Sequence, residues 1–217
     1  MIALVRNKAI FDADILINAV KTKSIEYLAS VFEYIFVSDY VWNCEIKNDS
    51  PEYPVIKKMY NKGLIKLLEY SKLTCVQQKI YKNAYRILKV QALPEFVNEG
   101  ERITAAFAKA HNVAYYMSDD NKAAPFIRSI AGVEVINYCD LLYVAYVRNE
   151  NDLEKLEQFY HAYLETFRSG QIPKNVRSGD GLEMSFGEVL VKACNKFERN
   201  KQLRNLLDLF DSKLHSQ

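Results

Sequence analysis

An α/β fold, a parallel sheet sandwiched by helices, is the fold class this sequence predicts. Three observations point to it. Short apolar runs of strand length alternate with longer runs of helical composition between residues 9 and 148. Such alternation is the pattern of parallel strands joined by crossover helices. Two of the apolar runs end directly in carboxylates, Asp12 and Asp14 after the first and Asp119 and Asp120 after a later one. Ligand sites in open parallel sheets lie at the carboxyl ends of strands. Strand signals stop after Arg148, so the chain divides into an α/β domain at 1–150 and a helical C-terminal extension at 151–217.

The elements follow in order. Ala9 to Phe11 is a short buried strand ending at Asp12, and Ile15 to Tyr34 is helical in composition. Tyr34 to Val37 is the second strand, and Asp39 reads as the N-cap of a helix running through Trp42 and Glu45. A helix through Lys57 to Asn61 stops at Gly63, and Leu64 to Glu69 is a third strand. Cys75 to Gln91 and Glu101 to His111 are helices; Ile103, Phe107 and Ala110 share one face of the second. Val113 to Met117 is a strand, Lys122 to Ala131 a helix stopped by Gly132, and Val133 to Ile136 the last strand. Leu141 to Arg148 is helical. In the extension, Asp152 to Phe167 is a helix with an apolar face of Leu153, Leu156, Phe159, Tyr160, Tyr163 and Leu164. A polar loop from Ser169 to Gly181 leads to helices at Met184 to Arg199 and Lys201 to Leu214. Asp39, Asp140 and Asp152 read as helix caps.

Composition excludes several classes. The chain has 217 residues, 49% hydrophobic, with 29 basic and 27 acidic side chains, which excludes disorder as the main state. No run approaches the ~20 apolar residues that a bilayer span requires, so no membrane association is expected. Met1 to Val5 is apolar, but Arg6, Lys8, Asp12 and Asp14 interrupt any signal-peptide core. Cys44, Cys75, Cys139 and Cys194 are far apart and lack zinc spacing. They read as reduced, buried or semi-buried thiols of a cytoplasmic protein.

The carboxylates carry the functional argument. Asp12, Asp14, Asp119 and Asp120 share one rim if their strands are adjacent, Glu45 follows the second strand, and Glu101 opens the helix before the Asp119 strand. Packed carboxylates repel one another and stay ionised only around positive charge, for which a hard divalent cation serves. Oxygen-only ligands suit Mg²⁺ or Mn²⁺, which activate water and neutralise phosphodiester charge. Each acid taken alone also has a bland reading as a turn or helix-start residue.

Four segments resemble the motifs of PIN-domain nucleases. Ala9-Ile10-Phe11-Asp12-Ala13-Asp14-Ile15-Leu16-Ile17-Asn18 is similar to the opening of that family, and Val41-Trp42-Asn43-Cys44-Glu45-Ile46 to its second motif. Gly100-Glu101 leading a small-residue helix is similar to the third, and Ser118-Asp119-Asp120 after a strand to the fourth. Gly132 to Ile136 is similar to the closing strand. The resemblance covers about residues 7–148. It implies a five-stranded parallel sheet in 3-2-1-4-5 order and Mg²⁺- or Mn²⁺-dependent cleavage of RNA. Carried over by motif, Asp12, Glu45, Glu101 and Asp119 are the catalytic, metal-binding set. Asp120 is the alternative to Asp119, Asp14 is an extra ligand or an N-cap, and Glu99 is a weaker candidate than Glu101. Many small members are toxins silenced by an antitoxin protein. Two features depart from the family: Ala124 and Pro125 stand where an arginine is often found, and 151–217 has no counterpart in the small members.

Residues 47–89 hold ten basic and three acidic side chains with five interleaved tyrosines, Tyr53, Tyr60, Tyr70, Tyr81 and Tyr85. We read the tyrosines as packed on the sheet and the lysines as a solvated face, with Lys47, Lys57, Lys58 and Lys62 as the substrate-binding candidates for an RNA backbone. His111 follows a helix and reads as a partner of its C-terminal dipole. His161 and His215 read as surface residues. Leu203, Leu206, Leu207, Phe210 and Leu214 form a stripe that caps the core, forms a homodimer or receives a partner. The expected function is therefore a cytoplasmic, metal-dependent endoribonuclease acting on single-stranded RNA, in line with a toxin of a toxin–antitoxin pair. The rivals are a non-catalytic RNA-binding or protein-interaction module and a DNA-directed nuclease.

Overall fold

The structure is a computed structural model. It describes residues 8–32, 34–93, 95–148, 152–167 and 172–214, with side chains beyond Leu207 left aside. The N-terminal apolar run Met1 to Val5, His215, and the side chains of Phe210 and Leu214 lie outside the described residues.

Five strands form one all-parallel sheet: β1 (Lys8–Phe11), β2 (Tyr34–Ser38), β3 (Ile65–Leu68), β4 (Tyr115–Met117) and β5 (Glu134–Ile136). Their spatial order is β3-β2-β1-β4-β5. The central strand pairs Ala9 with both Ile35 and Tyr115. The chain reverses its winding about β1, so the ends of β1 and β4 flank the point where a crevice opens.

Successive strand residues point to opposite faces, and two cores follow. Ala9, Phe11, Ile35, Val37, Tyr115 and Met117 face one core; Ile10, Phe36, Tyr116 and Val135 face the other. The second core is covered by α4 (Cys75–Gln91), α5 (Glu99–Ala110) and α6 (Ala124–Ala131). The first is covered by α1 (Ala13–Lys21), α2 (Ile25–Ala29), α3 (Tyr53–Asn61) and α7 (Tyr138–Arg148). It also takes up α8 (Leu153–Glu165), α9 (Phe186–Arg199) and the start of α10 (Lys201–Leu214). Leu156, Tyr160, Tyr163, Val189, Phe197, Leu203 and Leu206 are buried in the same cluster as the sheet residues. The leucine stripe of α10, as far as it is described, therefore caps this core.

The expected helix from Ile15 to Tyr34 is broken into α1 and α2. Lys23 takes a left-handed conformation (φ 58°). The hydroxyls of Thr22 and Ser24 are buried within 2.8 Å of each other and of the Tyr138 hydroxyl. Side-chain hydroxyls that find buried partners compete with helix continuation. The segment through Trp42 and Glu45 is a π-helical turn, Val41–Glu45, rather than an α-helix, with Asp39 accepting from the Tyr40 N–H at 2.8 Å. Cys44 and Cys75 are exposed, which corrects the expectation of burial for all four thiols. His111 caps α5, but burial and then Lys8 push its pKa down. A neutral imidazole makes no charge interaction with the helix dipole. Among the described residues no helix is long and apolar enough to cross a membrane.

Candidate active site

The site is built from the loops at the C-terminal ends of β1, β2 and β4 and from the start of α5. The Asp12 N–H donates to the Met117 carbonyl at 3.0 Å, tying the ends of the two central strands together. The buried Asp12 carboxylate caps α1, accepting from the Ala13 N–H at 2.9 Å. The Tyr116 hydroxyl approaches its other oxygen at 3.4 Å. Asp14 lies in the first turn of α1, where a carboxylate also suits the helix dipole.

Glu101 sits at the third position of α5 in a reciprocal cap. Its N–H donates to Asn98 Oδ1 at 2.9 Å, and the Asn98 N–H donates to Glu101 Oε2 at 2.7 Å. The capping box fixes the carboxylate of a residue only 2% exposed. Glu45 reaches across the same helix start. A Cβ on Gly100 would stand 2.0 Å from Glu45 Oε1, so the glycine makes room for the second acid.

The adjacent Asp119 and Asp120 have different surroundings. Asp119 Oδ1 accepts from the Tyr138 N–H at 3.0 Å. Its Oδ2 accepts from the Tyr163 hydroxyl at 2.9 Å and from Asn18 Nδ2 at 3.3 Å. Asp120 instead accepts from the N–H groups of Lys122 and Ala123, at 2.6 and 3.3 Å, and so shapes the turn into α6.

Electrostatics draws these acids into one group. Burial raises the Asp12 pKa well above the carboxylate range, and Glu45, Glu101 and Asp14 raise it further. Burial lifts Glu101 to about 7, with the Asn98 hydrogen bond opposing and Asp120, Asp14 and Glu45 adding to the rise. Asp14 and Glu45 are also raised, first by desolvation and then by Asp120 and Asp14 respectively; Lys21 holds Asp14 down. Burial raises Asp119 to about 6 against the pull of its three donors.

The group is spread rather than collapsed. Among the described residues, no three acidic, histidine or cysteine side chains converge as the direct ligands of one ion do. Oxygens of Glu101 and Asp119 are turned toward hydrogen-bond donors. The donor set is nevertheless all oxygen and mutually repulsive, which suits a hard, hydrated cation.

An open cleft of about 640 Å³ lies over Asp14, Asp119 and Asp120. Its other walls include Lys21, Lys122 and Lys174, together with Phe167, Ile172 and Pro173 of the extension. Asp12, Glu45 and Glu101 are not among its walls. The lysines proposed from sequence lie elsewhere. Lys47, Lys57, Lys58 and Lys62 are exposed, Lys57 stands over the Tyr53 ring at 5.6 Å, and Lys62 pairs with Glu26 at 2.8 Å. Of the tyrosines between them, Tyr53 and Tyr60 pack on Trp42, and Tyr81 packs on Phe107.

Sequence reasoning missed Tyr163, Asn18 and Tyr138 as the partners of Asp119, and Lys21, Lys122 and Lys174 as the cations of the cleft. Tyr163 was legible only as part of an apolar stripe. A hydroxyl on such a stripe is the available signal, because a buried tyrosine needs a partner for it.

Comparison of the chain with protein-family models, curated proteins and solved structures finds no match.

Proposed function

We propose that the chain is a metal-dependent endoribonuclease of PIN-like fold. One observation carries the reading. Acids from the loops after β1, β2 and β4 and from the start of α5 share one end of a 3-2-1-4-5 parallel sheet and raise one another's pKa. Mg²⁺ or Mn²⁺ held there supplies activated water and neutralises phosphodiester charge. Asp12, Glu45 and Glu101 would hold the ion from the inner part of the site and Asp14 and Asp120 from the cleft, largely through bound water, because among the described residues no three of them converge as direct ligands. Asp119 ties α1, α7 and α8 to the site by accepting from Asn18, Tyr138 and Tyr163, and would add a carboxylate to the set. Asp12 would orient the attacking water, and displacement of the 3′-oxygen would leave a 5′-phosphate and a 3′-hydroxyl. The resemblance to PIN-domain nucleases, many small members of which are toxins, extends the proposal to a toxin silenced by an antitoxin protein.

The test is cleavage of labelled single-stranded RNA with Mn²⁺ or Mg²⁺, beside an EDTA control and the Asp12→Asn variant. Asparagine retains the helix cap, so the variant should fold and cleave at least a hundredfold more slowly. Equal cleavage by Asp12→Asn and wild type rejects the assignment.

A second reading is favoured by the tied-up oxygens of Glu101 and Asp119: a non-catalytic module that binds RNA without cutting it. Binding in EDTA with no cleavage in either metal would select it. Cleavage of DNA at an equal rate would broaden the substrate to nucleic acid in general.

A further inference from the structure

A second pocket, of about 390 Å³, opens between α6, the start of α7, α9 and the turn at Lys174–Val176. Arg128, Lys174, Lys192 and Lys196 line it, against a single lining carboxylate, Asp140. Lys196 is hydrogen-bonded to Asp140 and to the Val135 carbonyl, which holds its ammonium in place. Lys192 donates to the Asn175 carbonyl at 3.1 Å and to the Lys174 and Arg177 carbonyls at 3.5 Å. Backbone carbonyls orient that charge without neutralising it. Arg128 stands 3.6 Å from Glu134, and Lys174 is exposed at the mouth.

Asn175 lines the pocket, where its backbone carbonyl accepts from Lys192, and its side-chain amide is buried beside the Tyr163 hydroxyl. The pocket also adjoins the cleft over the acids: Asn121 and Lys174 line both. In the cleft itself Asp14, Asp119 and Asp120 offset Lys21, Lys122 and Lys174, so a polyanion lying there gains hold from added positive charge on its flank.

We infer that this pocket binds a backbone phosphodiester of the single-stranded RNA that occupies the acidic cleft, so that the C-terminal helices supply the substrate-holding half of the site. The choice of ligand rests on the nuclease reading, whereas the pocket and its basic lining do not.

The test is fluorescence-anisotropy binding of a labelled single-stranded RNA in EDTA, where no cleavage occurs, as a function of salt. Arg128→Gln/Lys174→Gln removes two mouth charges from exposed positions. It should weaken binding about tenfold or more and lower the salt slope by about 0.7 for each phosphate that the protein no longer neutralises. Lys79→Gln/Lys82→Gln makes the same charge change at exposed positions of α4 and should stay within about twofold of wild type. Equal losses in both double variants, no loss in the first, or no RNA binding by wild type would each overturn the inference. Pocket-dependent binding without cleavage in Mn²⁺ would sink the nuclease reading and leave the phosphate pocket standing. Cleavage with pocket-independent binding would do the reverse.

Discussion

At the scale of single residues, the space over Gly100 decides whether two acids can share one helix start. The Glu45 carboxylate occupies the volume where a side chain at 100 would begin, with Oε1 2.0 Å from an added Cβ. That carboxylate is the far end of a flexible side chain, so Gly100→Ala would displace it without moving backbone. Alanine in a helix is also favoured over glycine by about 0.5–1 kcal/mol. The expected outcome is a melting temperature equal to or above wild type, with cleavage reduced on the order of a hundredfold, the cost of a catalytic group misplaced by about 1 Å. Thermal melts and RNA cleavage on the same preparation check it; unchanged cleavage would remove Glu45 from the site.

At the scale of elements, legibility tracked how local the physics was. The end of β1 at Asp12 and the αL stop at Gly132 are short-range devices and could be read from the sequence, whereas the Asp12 cap and the Asn98/Glu101 box start α1 and α5 two residues before the expected Ile15 and Glu101. The break between α1 and α2 could not be read, because the Tyr138 hydroxyl that draws in Thr22 and Ser24 comes from a helix more than a hundred positions away. The same holds for α8. Its Tyr163 ring stacks on Tyr138 with centroids 4.4 Å apart, and its hydroxyl donates to Asp119. Tyr163→Phe keeps the stack and removes the donor. Loss of a hydrogen bond to a buried carboxylate predicts destabilisation by about 1.5–3 kcal/mol in denaturant unfolding. If Asp119 serves the reaction, cleavage falls while RNA binding in EDTA does not; a stability loss with no change in cleavage would make α8 purely structural.

At the scale of the whole molecule, the grouped carboxylates set the sign of the pH dependence. Folding raises Asp12 well above its ordinary value, Glu101 to about 7 and Asp119 to about 6. Below pH ~4 these acids are protonated in both states and folding incurs no charge penalty. Between pH ~4 and ~7 the unfolded chain sheds protons that the native chain holds, so stability falls as pH rises. His111, whose pKa is lowered, acts oppositely below pH ~6.5, one group against several. Metal-free protein should therefore melt at a lower temperature at pH 8 than at pH 5.5. Asp12→Asn, which cannot ionise, should recover part of the difference. A divalent ion binds the deprotonated set, so saturating Mn²⁺ should raise the melting temperature more at pH 8 than at pH 5.5. A pH slope that persists with no Mn²⁺-dependent shift at either pH would leave a repulsive acidic cluster with no cation to hold, the outcome expected of the non-catalytic module.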